Sequence, residues 1–376
     1  MRALQELRQL LHTLAEQVEV LPAVGGAIED LQRPDAEERE DQTLNFEERV
    51  FETIFERDPE APTPRPYRPV PAIPRTQHHL FRYFLDGSFR SYFLGTALEE
   101  ARETPVHYAQ IGACTLRREA DGSVRREDLR TYHLLLAGKS QLSEMAWARL
   151  EALAQHSSVK LMDLTERDVL SGSAPDLDLR NIAAGKVRYA MRRLEAEMMG
   201  DLLDHLNDAC WLIADGSLMF SPIFNLLDER GTMMPVIGVS KNFRKDPQFV
   251  FGRGPRAERR SIYKLLADLE AAHRTAVFSA REGRVVFWYV RLREQRHLDY
   301  PLMGVVKVEL VNPSAEPVDS QLIDRLSGAL VAERQVTPHG QDRRWHAHLY
   351  PIFLAERAVK ESLLSREVVQ QSLKWR

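Results

Sequence analysis

The sequence predicts an α/β chain: a mixed sheet flanked by helices, preceded by an N-terminal appendage with helical, acidic and proline-rich parts. Three observations lead there. From His79 onward, apolar runs of strand length alternate with segments of helical period. Two of those runs end in the same tripeptide, Asp86-Gly87-Ser88 and Asp215-Gly216-Ser217. The residues before about position 76 have a composition of their own, so the expected division is 1–75 and 76–376.

The 376 residues are 44% hydrophobic and 28% charged, the composition of a soluble globular protein. A formal charge of −4 excludes binding of nucleic acid through bulk positive charge, but not through a local basic groove. No run approaches the ~20 apolar residues of a membrane span. The start, Met1-Arg2-Ala3-Leu4-Gln5-Glu6-Leu7, has no signal-peptide core. The expectation is a cytoplasmic protein with no membrane contact. Cys114 and Cys210 lie in apolar runs, match no metal spacing, and are expected to pack as small hydrophobes.

In the appendage, Leu4, Leu7, Leu10, Leu11 and Leu14 recur at helical spacing and predict an amphipathic helix. Asp35–Glu60 holds eleven acids against three arginines. Pro59–Pro71 is proline-rich and favours extended geometry, so it reads as a linker or strap. Beyond it, Leu80–Leu85 predicts a strand running into Asp86. Val106–Leu116 and Leu129–Leu136 predict two more, with a hairpin turn at Asp121-Gly122. Helices are expected at Leu142–Ala154, Asp178–Asn207, Glu258–Ala271, Asp319–Val331 and Pro351–Leu373. Strands are expected at Val159–Leu164, Trp211–Ala214, Val236–Val239, Thr275–Ala280, Arg284–Arg291 and Met303–Val311.

Both Asp-Gly-Ser tripeptides put an aspartate where a strand is expected to leave the sheet, followed by a glycine that permits a sharp turn. Such positions face the crevice where active sites of α/β folds lie, although Asp-Gly is also an ordinary turn dipeptide. Hard divalent cations take several oxygen ligands, so a third carboxylate is expected nearby. The helix before the second tripeptide has an apolar stripe of Val187, Met191, Leu194, Met198 and Leu202. Glu195 lies about 50° from the centre of that stripe, while Glu197 lies about 110° away among solvated charges, so Glu195 is the candidate. The order of parts is strand with Asp, hairpin, helix with Glu, strand with Asp. That is the order of a ribonuclease H-like domain, in which three carboxylates converge on two divalent metals. The same superfold also hosts sugar kinases and actin-like ATPases.

At this point the residues resemble the NurA nuclease family. The resemblance rests on Leu85-Asp86-Gly87-Ser88, the Arg-x-x-Glu of Arg192–Glu195, and Leu212-Ile213-Ala214-Asp215-Gly216-Ser217-Leu218. It rests also on Val236-Ile237-Gly238-Val239-Ser240-Lys241 and Tyr350-Pro351-Ile352-Phe353-Leu354. It implies a DNA nuclease dependent on Mn²⁺ (or Mg²⁺), a homodimer working with a hexameric HerA-type helicase/translocase in DNA end resection. By this resemblance Asp86, Glu195 and Asp215 match the metal ligands, and Tyr350 matches the family's active-site tyrosine. The family often has a histidine eight residues after that tyrosine, where this chain has Ala358. His346 and His348 are the candidates to replace it.

Lys241 ends an apolar strand, where its charge could neutralise a scissile phosphate. Arg244, Lys245, Arg253, Arg256, Arg259 and Arg260 follow, interleaved with Phe243, Phe249 and Phe251, and are the candidate DNA-binding residues. No G-x-x-x-x-G-K-[ST] loop is present, so ATP-driven translocation is expected from a partner. Two other readings compete with a nuclease. One is a degenerate DNA-end-binding or helicase-docking subunit. The other is an actin-like ATP-dependent phosphotransferase whose two Asp-Gly-Ser turns hold nucleotide phosphates.

Overall fold

A computed structural model describes residues 2–23, 50–52, 55–58, 65–74, 79–165, 179–245, 247–251, 258–295, 300, 302–334, 336 and 345–372. Helix α1 (Arg2–Gln17) and strand β1 (Glu19–Pro22) come first, then short strands β2 (Val50–Glu52), β3 (Glu56–Arg57) and β4 (Tyr67–Pro69). Three long strands follow: β5 (Phe81–Glu99), β6 (Arg102–Arg118) and β7 (Val124–Ala137). Helix α2 (Glu144–Ala154) leads to β8 (Val159–Asp163), and α3 (Leu179–Leu202) to β9 (Trp211–Asp215). Helix α4 (Ser221–Asp228) precedes β10 (Val236–Ser240), β11 (Gln248–Phe251) and β12 (Glu258–Ser261). Helix α5 (Ile262–Ala267) is followed by β13 (His273–Thr275), β14 (Phe278–Ala280), β15 (Val285–Arg291), β16 (Val305–Val311) and β17 (Val318–Asp319). Helices α6 (Ser320–Ala332), α7 (Tyr350–Ser362) and α8 (Arg366–Ser372) close the chain.

The main sheet runs β4-β13-β15-β16-β10-β9-β5-β6-β7-β8, with β1 on β5 and β14 on β15. At its centre β5, β6 and β7 form an antiparallel meander, while β9 lies parallel to β5 and β10 parallel to β9. Strand alternation sends successive side chains to opposite faces. Leu85 and Ala214 pack with Leu194 and Met198 of α3 on one face. Phe84, Ile213 and Val239 pack on the other with Ile323 of α6 and Ile352 and Val359 of α7. The chain is thus α/β with helices on both faces of a mixed sheet.

Several expectations shift. The strand expected to end at Leu85 continues to Glu99, so Asp86-Gly87-Ser88 lies inside a ladder and not at a turn. The extension carries a second apolar zone: Tyr92, Leu94 and Ala97 pack with Leu7, Leu10, Leu11 and Leu14 of α1 and Trp147 of α2. The helix expected over Glu258–Ala271 begins only at Ile262. Residues 258–261 pair with β11 instead, and the Ser261 side chain caps the helix by accepting from Lys264 N. The helix expected over Pro351–Leu373 is two helices, broken between Ser362 and Arg366.

Parts of the expected appendage are built into the body. The α1 leucines are core residues, β1 pairs with β5, and β4 forms one end of the main sheet on β13. A buried ionic cluster fastens this segment. Arg274, 0% exposed, meets Glu56 Oε2 at 2.8 Å and Asp324 Oδ1 at 2.5 Å. Arg68 joins Asp324 at 2.9 Å and also pairs with Asp58. Burying these carboxylates is tolerable because each has a guanidinium partner. Cys114 is buried, Cys210 is half-buried, and both are free thiols.

Candidate functional site

The parallel register Leu85↔Ala214 puts Asp86 and Asp215 side by side, one residue further along β5 and β9. Their neighbours two residues back, Phe84 and Ile213, both face α7, so alternation turns the two aspartates to that face. Cys114, the partner of Asp86 across the β5–β6 ladder, packs there as well. Lys241 follows Val239 on the same face, and its Nζ lies 2.9 Å from Asp215 Oδ2.

Helix α7 runs over this face in the direction of β5. Its C-terminal end is tied down by Arg90, which donates to Lys360 O at 3.2 Å and, just past the helix, to Leu363 O at 3.1 Å and Leu364 O at 2.8 Å. Val359 stands over Gly112, where an added Cβ would come within 2.9 Å of it, and Gly112 is the ladder partner of Ser88. Three residues earlier on the helix, and two earlier on the strand, Glu356 stands level with Asp86. Its side chain is 19% exposed and its Oε1 lies 2.7 Å from Lys360 Nζ.

Asp86 is 4% exposed and its Oδ2 has no hydrogen-bond partner among the described residues. Burial pushes its pKa well above the usual carboxylate range, Asp215, Glu356 and Glu195 push it further, and Lys241 partly offsets them. Burial also opposes the charge on Lys241, but Asp215, Asp86 and Glu356 outweigh it and raise the ammonium's pKa. Burial opposes ionisation of Glu356 too, yet Lys241 and Lys360 prevail and hold its pKa below the usual value. The cluster is therefore three carboxylates and two ammoniums, Lys241 at Asp215 and Lys360 at Glu356, short of positive charge at Asp86.

Glu195 approaches from the opposite face. It is 3% exposed and its Oε2 lies 2.5 Å from Arg192 Nη1. A Cβ on Gly87 would sit 2.5 Å from Glu195 Oε1, so the glycine is there for a close approach and not for a turn. Gly216 does make a turn, with φ +90°. Arg192 holds that turn by donating to Asp215 O at 3.1 Å and Ser217 O at 2.5 Å. Glu309 of β16 holds it from the sheet side, accepting from Ser217 Oγ at 2.7 Å and Leu218 N at 2.8 Å. The two identical tripeptides thus use their glycines for different reasons.

Sequence reasoning missed Glu356 and Glu309. Glu356 did leave a signal: it interrupts the apolar stripe of Ile352, Ala355 and Val359, where an acid is rarely buried without a partner. Glu309 left none, because only the pairing of β10 with β16 brings it to the turn.

Other expected site residues lie elsewhere. Tyr350 starts α7, 52% exposed, beside His79, Arg118 and Glu333. It is six residues, about 9 Å of helix, before Glu356, so α7 carries it away from the carboxylates. Phe243 and Phe249, expected to stack on bases, are core residues, and Phe251 packs against the same core. Their rings meet Tyr289 and Phe278. Lys245 donates to Phe243 O at 2.6 Å, and Arg260 pairs with Glu258 at 2.8 Å. Arg259 is exposed and Arg244 half-buried; Arg253 and Arg256 lie outside the described residues. His346 Nδ1 accepts from Gly304 N at 2.9 Å, whereas His348 is buried and close enough to Glu356 to help lower its pKa. Ala358 packs at the edge of the α7-side core.

Among the described residues no group of three or more His, Cys, Asp or Glu side chains is poised as a ready-made metal site. The donors fit a hard divalent cation in type and in charge: carboxylate oxygens, one of them buried without a partner. No described helix is long and apolar enough to cross a membrane. No family model matches the chain, and no curated protein matches it in sequence.

Proposed function

We propose that the chain is a metal-dependent DNA nuclease with a ribonuclease H-like core, hydrolysing phosphodiester bonds at the Asp86–Asp215 cluster. The observation that carries this reading is the pair of aspartates set side by side on adjacent parallel strands, with Asp86 Oδ2 buried and without a hydrogen-bond partner among the described residues. The strand order β7-β6-β5-β9-β10, with α3 between β7 and β9 in the chain, supports the fold assignment.

When bound, Mn²⁺ or Mg²⁺ supplies Lewis-acid stabilisation of the charge that develops as water attacks the phosphorus, by the two-metal route. Asp86 and Asp215 would hold the cation through their carboxylate oxygens. Glu195 is the third carboxylate of this reading, approaching Gly87 under the control of Arg192. Lys241 brings a buried ammonium to Asp215, beside which a scissile phosphate oxygen would be neutralised. Tyr350, exposed at the start of α7, has no assigned role in this reading. Arg259 keeps the role of a phosphate contact. DNA is the substrate, acted on in the cytoplasm by a homodimer. A hexameric HerA-type translocase supplies the motion that a chain without a P-loop cannot.

A second reading, a catalytically degenerate DNA-end-binding subunit, is favoured by the Lys241 ammonium standing against Asp215 where a cation would bind. Cleavage of end-labelled linear single- and double-stranded DNA with Mn²⁺, Mg²⁺ or EDTA separates the two. Metal-dependent shortening that Asp86→Ala and Asp215→Ala both abolish is the expected result. Retained DNA binding without cleavage, with the translocase added, would establish the degenerate subunit instead.

A further inference from the structure

The face of the sheet that carries Asp86 and Asp215 is covered by α7, not by the helix that carries Glu195. The one carboxylate that α7 presents to it is Glu356, level with Asp86 and within electrostatic reach of both Asp86 and Lys241. Glu195 lies on the other face, its charge already matched by Arg192, which in turn grips the carbonyls of the Asp215 turn. The buried Oδ2 of Asp86 has no hydrogen-bond partner among the described residues, although an ammonium stands 2.9 Å from the neighbouring aspartate. With Lys360 on Glu356 as the second ammonium, the arrangement is one cation short for three carboxylates.

Resting on the metal-dependent reading above, we propose that Glu356 is a ligand of the divalent cation together with Asp86 and Asp215, and that Lys241 is a resident counter-ion which leaves Asp215 when the cation binds. Glu195 is then a positioning residue, acting through Arg192 on the turn that carries Asp215. The ligand set is all oxygen, the donor type of Mn²⁺ and Mg²⁺. A compact ammonium on a flexible stem is suited to yield its place, because the methylenes of lysine let it swing aside while keeping its charge near the bound phosphate.

The test is Mn²⁺ binding to the full chain without DNA, read from the electron paramagnetic resonance of free Mn²⁺. Wild type is compared with Glu356→Gln, Glu195→Gln and Lys241→Met, each checked for folding by circular dichroism. Loss of a direct ligand should weaken binding by at least about 10-fold in Glu356→Gln, the lower end even for outer-sphere partners. Glu195→Gln should stay within about threefold of wild type, and Lys241→Met should bind more tightly, having lost the competing charge. Should Glu356→Gln fold poorly, Glu356→Asp serves, and it should weaken binding without abolishing it. The proposal is overturned if Glu356→Gln binds like wild type, if Glu195→Gln is the variant that loses the ion, or if wild type binds none. Binding with the expected pattern but no DNA cleavage would sink the nuclease reading alone. Cleavage with an unaffected Glu356→Gln would sink only this inference.

Discussion

Replacing Gly87 by alanine would place a methyl carbon 2.5 Å from Glu195 Oε1, and 3.1 Å from Glu195 Cδ and Met191 Cγ. The first contact is about 1 Å inside ordinary van der Waals distance. Gly87 is not among the positive-φ residues, so alanine suits the backbone, and relief of glycine's entropy would favour it by roughly 0.5–1 kcal/mol. Glu195 cannot simply swing away, because Arg192 holds it and is itself fixed to Asp215 O and Ser217 O. Overpacking in such settings costs about 1–3 kcal/mol, so the expected net loss is about 1–2 kcal/mol. In a Glu195→Ala background the 2.5 Å contact is removed, and the 3.1 Å contact that stays is with Met191, a flexible side chain. There the same substitution should be neutral or slightly stabilising, giving a coupling of about 1–2 kcal/mol. Glu195→Gln keeps the volume and should give no relief. Urea midpoints of the four members of the cycle, at equal slope, measure this. If Gly87→Ala costs the same with and without the Glu195 side chain, the account of this glycine as a gap for Glu195 is wrong.

Three further outcomes are expected. A carboxyl whose pKa is raised on folding favours the fold below its unfolded value and loses that contribution as pH rises through the folded one. Asp86 should therefore make the metal-free chain less stable from about pH 4 upward. Asp86→Asn should shrink the difference between melting temperatures at pH 5 and pH 8, and an unchanged difference would contradict the charge balance described at this site. Arg274→Met leaves the buried Glu56 without its guanidinium and should cost about 3–5 kcal/mol in urea unfolding. A loss under about 1 kcal/mol would mean that the ionic fastening of β3 and β4 is not structural. Leu11→Ala, at a fully buried position of α1, should cost about 2–5 kcal/mol, and a negligible loss would show that α1 is not part of the core.

Much of this protein is written in short-range pattern. The leucines of α1 fall on one stripe, and that stripe is the buried one. The Asp121-Gly122 turn joins β6 to β7 with Gly122 at φ +83°, and Gly283 turns between β14 and β15 at φ +90°. In each case the signal and its cause lie within a few residues of each other. The helix expected from Glu258 fails for the complementary reason: residues 258–261 are taken by hydrogen bonds to β11, a partner that no local propensity names.

The spacing of apolar and acidic residues by itself determined the alternation of strands and helices, and singled out Asp86, Glu195 and Asp215, because periodicity tells which residues share a face of their own element. It does not tell which side of the sheet that element will cover. Only the tertiary structure decided that α3 and α7 lie on opposite faces, and so that Glu195 meets Gly87 from one side while Glu356 comes within electrostatic reach of Asp86 and Lys241 from the other. It likewise decided that Phe243 and Phe249 are buried and that Glu309 braces the Asp215 turn. Those outcomes depend on the register and layering of strands far apart in the chain, where the free energy of burial, and not the local sequence, chooses the partner.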